Sequence, residues 1–80
     1  MSSSPNLTKR EIEILKYIAA EYNTREISQR IFISPHTVMS HRKNIQRKMG
    51  VKNVAGMIYQ ACRIGILDFH KTNQLTQLEV

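Results

Sequence analysis

A Ser-Pro step at Ser34-Pro35 and a glycine at Gly50 bracket the segment that most restricts this chain. Serine is a strong helix N-cap, and proline at the first helical position sacrifices no hydrogen bond, because an amide there has no partner within the helix. Glycine just past the last helical residue supplies the left-handed backbone that ends a helix. The stretch between them reads as one helix, with Val38, Ile45 and Met49 on one face, joined by His41 or Arg42. The other apolar segments have to pack around that rod. With 80 residues the chain makes one domain at most, near the lower size limit for an unaided hydrophobic core.

Three further helix signals surround it. Thr8-Lys9-Arg10-Glu11 has the form of a capping box, with Leu7 before the cap and Ile12 placed for a hydrophobic staple. Ile12, Leu15, Ile18 and Ala19 follow at helical spacing, and Glu21 to Asn23 end this first helix. A short second helix starts at Asn23 or Thr24, with Glu26 in its first turn and Ile27 and Ile31 on one face; Phe32 and Ile33 then form an apolar turn. A fourth helix opens at Asn53 and closes at Gly65, after which Ile66 and Leu67 tuck back. Its apolar residues fall on two faces: Val54, Met57, Ala61 and Ile64, and Ala55, Ile58, Tyr59 and Cys62. One face fills a core; a second on so small a domain points to a partner. Residues 1–6 read as a disordered lead-in, and 68–80 as a tail or frayed helix extension.

Charge singles out the third helix. The chain carries 12 Lys+Arg against 6 Asp+Glu, a net charge of +6. Arg42, Lys43, Arg47, Lys48 and Lys52 fall between Ser34 and Lys52, a stretch without any acidic residue, whereas Glu11, Glu13 and Glu21 lie in or just after the first helix. A cation-rich helix held proud of a small core fits the DNA major groove in size and charge. Polar groups on its early turns can meet base edges, and basic groups later on it can neutralise phosphates.

Other chemistry lacks its raw material. One cysteine rules out an internal disulfide framework. No apolar run approaches the roughly 18 residues of a membrane span, and the Ser-rich start is not laid out as a secretion signal. His36 and His41 are five apart, which does not align two rings on one helix face, and neither they nor His70 has a companion set of ligands, so no metal is expected. Cys62 lacks a histidine in helical register and reads as a packing residue. Tyr17, Tyr22 and Tyr59 are too scattered for a single-strand stacking platform; Tyr17 reads as core and Tyr22 as edge. With no Gly-rich phosphate loop, paired carboxylates or Ser/His/Asp set, the chain does not read as an enzyme, and no cofactor or small-molecule ligand is expected.

Taken in order, Leu7-Thr8-Lys9-Arg10-Glu11-Ile12-Glu13-Ile14-Leu15, Arg25-Glu26-Ile27, Ile33-Ser34-Pro35-His36-Thr37-Val38, His41, Ile45, Lys48-Met49-Gly50-Val51 and Asn53 resemble the LuxR-type helix-turn-helix domain. That module is the C-terminal output domain of many bacterial response regulators and quorum-sensing regulators. The resemblance covers about residues 7–67. It implies an all-α, compact four-helix bundle in which helices two and three form the helix-turn-helix, helix three enters the major groove of double-stranded DNA, and helix four pairs two subunits into a homodimer on DNA. Carried over position by position, it implies base contacts from His36, Met39, Ser40 and Lys43. Phosphate contacts would come from Thr24, Arg25, Thr37, Arg47 and Lys48, and the dimer face would be Ala55, Ile58, Tyr59 and Cys62. It further implies a cytoplasmic bacterial regulator and admits RNA polymerase as a partner.

The chain departs from the family pattern at four positions. Met39 stands where Lys is frequent, which removes a purine-binding cation and favours apolar contact with a thymine methyl. Glu21 stands where Gly is common, so either the first helix runs on or the turn differs. Ser28 replaces a usual Ala, and Val54 a common Arg. Two other classes of function fit parts of the pattern. A basic protein-interaction module docking an acidic partner would explain the charge and the second apolar face, and a sigma-factor-like promoter reader shares the Leu-Thr-x-Arg-Glu start, although the Gly50-Val51 and Asn53 exit fits the LuxR type better.

Overall fold

Four side chains close the four helix starts in the computed structural model, which describes residues 5–68. Thr8 Oγ1 accepts from the Glu11 amide at 3.0 Å while Glu11 Oε1 accepts from the Thr8 amide at 2.9 Å, opening α1 (Lys9–Ala19). Asn23 and Glu26 repeat this reciprocal arrangement at 2.8 and 2.9 Å and open α2 (Thr24–Ile31). Ser34 Oγ accepts from the Thr37 amide at 3.1 Å ahead of α3 (Pro35–Met49). Asn53 Oδ1 accepts from the Gly56 amide at 2.9 Å ahead of α4 (Val54–Arg63). Each bond satisfies a first-turn amide that the helix leaves without a partner. Most of the expected lead-in, nearly all of the expected tail, and His70 lie outside the described residues. Asn6, assigned to the lead-in, is held: its carbonyl accepts from Lys48 Nζ at 3.1 Å.

The helices pack as an all-α bundle around α3, which touches each of the other three. The core takes Ile14, Leu15 and Ile18 from α1, Ile27 and Ile31 from α2, Val38, Ile45 and Met49 from α3, Met57 and Ala61 from α4, and Leu67 beyond it. The inward face of α1 is thus rotated from the expected one: Ile14 is fully buried, whereas Ile12 and Ala19 are only half-buried. Leu67 returns as expected, its amide and that of Ile66 both bonding the Ala61 carbonyl past Gly65. Buried Ser28 fits where Ala is usual because its hydroxyl donates to the Arg25 carbonyl at 2.7 Å.

The α1–α2 turn settles the question raised by Glu21. The helix does not run on: it ends at Ala19 with Ala20 as C-cap, and Glu21 adopts the left-handed backbone at φ 70° that glycine normally supplies. Tyr17 and Tyr22 brace the turn edge to face, ring centres 5.1 Å apart, and the Arg30 guanidinium lies 4.9 Å from the Tyr22 ring centre. A side chain at positive φ carries a steric cost of roughly 1–2 kcal/mol, and the exposed Glu21 side chain offers little packing in return. Glu21→Gly is therefore expected to raise stability by about 0.5–1 kcal/mol, the remainder being offset by the freedom glycine adds to the unfolded chain. A urea midpoint shifted upward at constant m-value checks this.

The α2–α3 turn is apolar in only one of its two residues. Ile33 packs against the core, but Phe32 caps α2 in the left-handed region at φ 59° and is 91% exposed. At the far end of α3, Gly50 takes φ 67° as expected, and Gln46 Nε2 bonds the Lys52 carbonyl at 2.8 Å, tying α3 to the entry of α4.

Candidate nucleic-acid interface

Helical periodicity divides α3 into an inner and an outer surface. At 3.6 residues per turn, burying Val38, Ile45 and Met49 forces His36, Ser40, Lys43 and Arg47 onto the opposite arc. All four are exposed, as are Thr37 and Asn44 on one flank. Met39 lies on the other flank, toward α2, and is 45% exposed. Arg47 makes one long contact, 3.4 Å to Asn44 Oδ1, and among the described residues neither Lys43 nor Arg47 meets a carboxylate. Lys43, Gln46, Arg47, Gly50 and Val51 line an open depression at the lower end of this arc. The start of α2 completes the surface: Arg25 is exposed, and the first-turn amides of Thr24 and Arg25 precede the helix ladder.

Two residues expected to meet phosphate are engaged within the fold. Lys48 Nζ lies 2.9 Å from Glu11 Oε1 and also donates to the Asn6 carbonyl, so its charge faces α1. Position explains this: Lys48 sits between the buried stripe and the outer arc, where a long side chain can reach the carboxylate at the start of α1. The Thr24 hydroxyl accepts from Arg42 Nη1 at 3.3 Å and donates to Met39 Sδ at 3.6 Å. Its one proton is thereby directed at sulfur, and a phosphate oxygen would need it. Sequence reasoning had assigned Glu11 only a capping role and had left Arg42 on the core side. The Glu11–Lys48 pair spans 37 residues and the Arg42–Thr24 pair 18, separations at which local spacing carries no signal.

Glu11 is 4% exposed, an unusual position for a carboxylate. Burial pushes its pKa upward, but hydrogen bonds from Lys48 and the Thr8 amide, with the charges of Lys48 and His41, prevail and hold it below its ordinary value of 4.5. A carboxyl depressed in the folded state stabilises the fold above the unfolded-state value, and that contribution disappears as pH falls through the folded-state value. The domain is expected to lose stability as pH drops below about 4.5, and Glu11→Gln to flatten that acid limb, measured as melting temperature against pH. Lys48→Ala leaves the buried carboxylate short of a donor and is expected to cost about 1–3 kcal/mol of folding stability.

The outer face of α4 is narrower than its sequence suggests. Ala55 is exposed and Tyr59 is 67% exposed, while Ile58 and Cys62 are half-buried against the core. Val54 is exposed where the family commonly has Arg.

A short helix, a left-handed turn and a second helix whose outer arc is polar and cationic define a helix-turn-helix domain of the DNA-binding class. The model for bacterial regulatory proteins of the luxR family matches residues 5–61, and the chain belongs to that family. The oxygen regulatory protein NreC of Staphylococcus aureus (strain JH9) is 38% identical over 63 residues, covering 79% of this chain and 29% of that protein. Among solved structures, the transcription factor GerE superposes with a TM-score of 0.74 at 37% identity, covering 78% of this chain and 92% of that one. The response regulator ChrA, of a heme-sensing two-component system, gives 0.75 at 32% identity over 82% of this chain and 33% of its own. The chain thus spans under a third of the length of the curated relatives it matches. No helix among the described residues is long and apolar enough to cross a membrane.

Proposed function

We propose that this domain binds double-stranded DNA sequence-specifically as the output module of a bacterial transcriptional regulator, with α3 in the major groove. The observation that carries this reading is the outer arc of α3, where Lys43 and Arg47 are exposed and meet no carboxylate among the described residues. His36, Met39, Ser40 and Lys43 face base edges, and Arg25, Thr37 and Arg47 face phosphates, together with the first-turn amides of α2. Lys48 and the Thr24 hydroxyl are left out of the phosphate set because the fold already engages them. Two copies pair on DNA through Ala55 and Tyr59 of α4, with Ile58 and Cys62 at the edge of the contact. A cytoplasmic site of action and contact with RNA polymerase follow from the regulator role.

Selection of bound duplexes from a random pool at moderate salt tests the reading. A consensus with two half-sites about 10 base pairs apart is expected. With Arg25, Lys43 and Arg47 each displacing a counterion, affinity for the selected duplex falls with salt at a log–log slope of about −3 per subunit. A pool that yields no consensus, combined with a flat salt response, would favour the protein-docking alternative.

A further inference from the structure

Met39 is held by groups from two helices. Its sulfur accepts from Thr24 Oγ1 at 3.6 Å, and the same oxygen accepts from Arg42 Nη1 at 3.3 Å. Arg42 lies one turn after Met39 on the same flank of α3 and is half-buried, whereas Thr24 is the first residue of α2. A hydroxyl carries one proton and two lone pairs. With the guanidinium on a lone pair, the proton is directed at the thioether, so the chain guanidinium–hydroxyl–sulfur has a fixed direction. Of the methionines among the described residues, Met49 and Met57 are buried in the core, and Met39 alone is an exposed large hydrophobic side chain on α3.

This arrangement counters the usual drawback of methionine as a reader. An unbranched thioether with three rotatable bonds adapts to many surfaces and specifies none, and ordering it on binding costs considerable rotamer entropy. Anchoring the sulfur before DNA arrives removes part of that cost and leaves only the terminal methyl to be placed. In the major groove an apolar tip has one distinctive complement, the C5-methyl of thymine.

We propose that Arg42 and Thr24 are positioning residues that hold Met39 to read a thymine methyl group, so that each half-site of the bound duplex carries a thymine against Met39. The proposal rests on the reading that α3 enters the major groove. The probe is the duplex selected from the random pool, resynthesised with deoxyuridine replacing one thymidine at a time, which removes a methyl and nothing else. Wild-type protein is expected to lose about fourfold in affinity at the position Met39 covers, the ratio for one methyl withdrawn from an apolar contact. Met39→Ala is expected to show no penalty at that position while keeping the penalties found elsewhere in the scan. Thr24→Val preserves side-chain shape and removes the proton; it is expected to reduce the penalty to less than about twofold with unchanged melting. A scan in which no thymidine loses its penalty in Met39→Ala overturns the methyl contact. A full penalty retained in Thr24→Val overturns the positioning role. A pool that yields no duplex instead removes the underlying reading, so the two failures are separable.

Discussion

Replacing Lys43 and Arg47 together by alanine is expected to lower affinity for the selected duplex about 100-fold at moderate salt while leaving the fold intact. Lys43 faces a base edge, where a good contact discriminates by about 1–3 kcal/mol, and Arg47 supplies one phosphate contact. Both side chains are exposed, and neither meets a carboxylate within the described domain, so their removal creates no cavity and strands no buried charge. Two signatures accompany the loss. The salt slope becomes shallower by about 1.8, the amount expected for two counterions fewer. The thermal midpoint stays close to that of wild type. Anisotropy titrations at several salt concentrations, with melts followed by circular dichroism, measure both; unchanged affinity in the double variant would move the interface elsewhere.

Ile45→Ala is expected to act through the opposite face of the same helix and to destabilise the domain by about 2–4 kcal/mol. Ile45 is fully buried in the cluster shared by all four helices, and truncation removes its burial and opens a cavity. Folded domains are stable by roughly 0.05–0.15 kcal/mol per residue, so this loss is a large share of what an 80-residue chain holds. Urea unfolding reads it directly. DNA affinity should fall only as the folded fraction falls, and should recover under conditions that restore folding. The double variant differs on both counts, because it stays folded and does not recover. The two outcomes together distinguish the face of α3 that holds the bundle from the face that meets DNA.

The legible parts of this chain are those governed by neighbours in sequence. Thr8-Glu11, Asn23, Ser34-Pro35, Gly50 and Asn53 mark helix ends through bonds no longer than one turn, and each sits where its chemistry places it. The outer arc of α3 follows from the same logic, since Val38, Ile45 and Met49 fix the inward direction. What escaped depends on contacts made through space. Lys48 carries the same charge as Lys43, and only the packing of α1 on α3 turns one toward Glu11 and leaves the other outward. Ile58 and Cys62 share a helix face with Tyr59, and only the depth of the core beneath α4 decides how much of that face remains exposed. Glu21 shows the converse: the turn imposes a left-handed backbone on a residue that resists it, so a residue type read alone gave no decision there.

An NMR titration of the isotope-labelled domain with its selected duplex tests the central claim most directly, because the amide shifts of a chain this small can be followed residue by residue. The account predicts that the largest changes cluster at His36, Ser40, Lys43 and Arg47, extend to Thr24 and Arg25, and leave the middle of α1 unmoved. Shifts centred on α1 or on the outer face of α4, with the arc of α3 unperturbed, would contradict it.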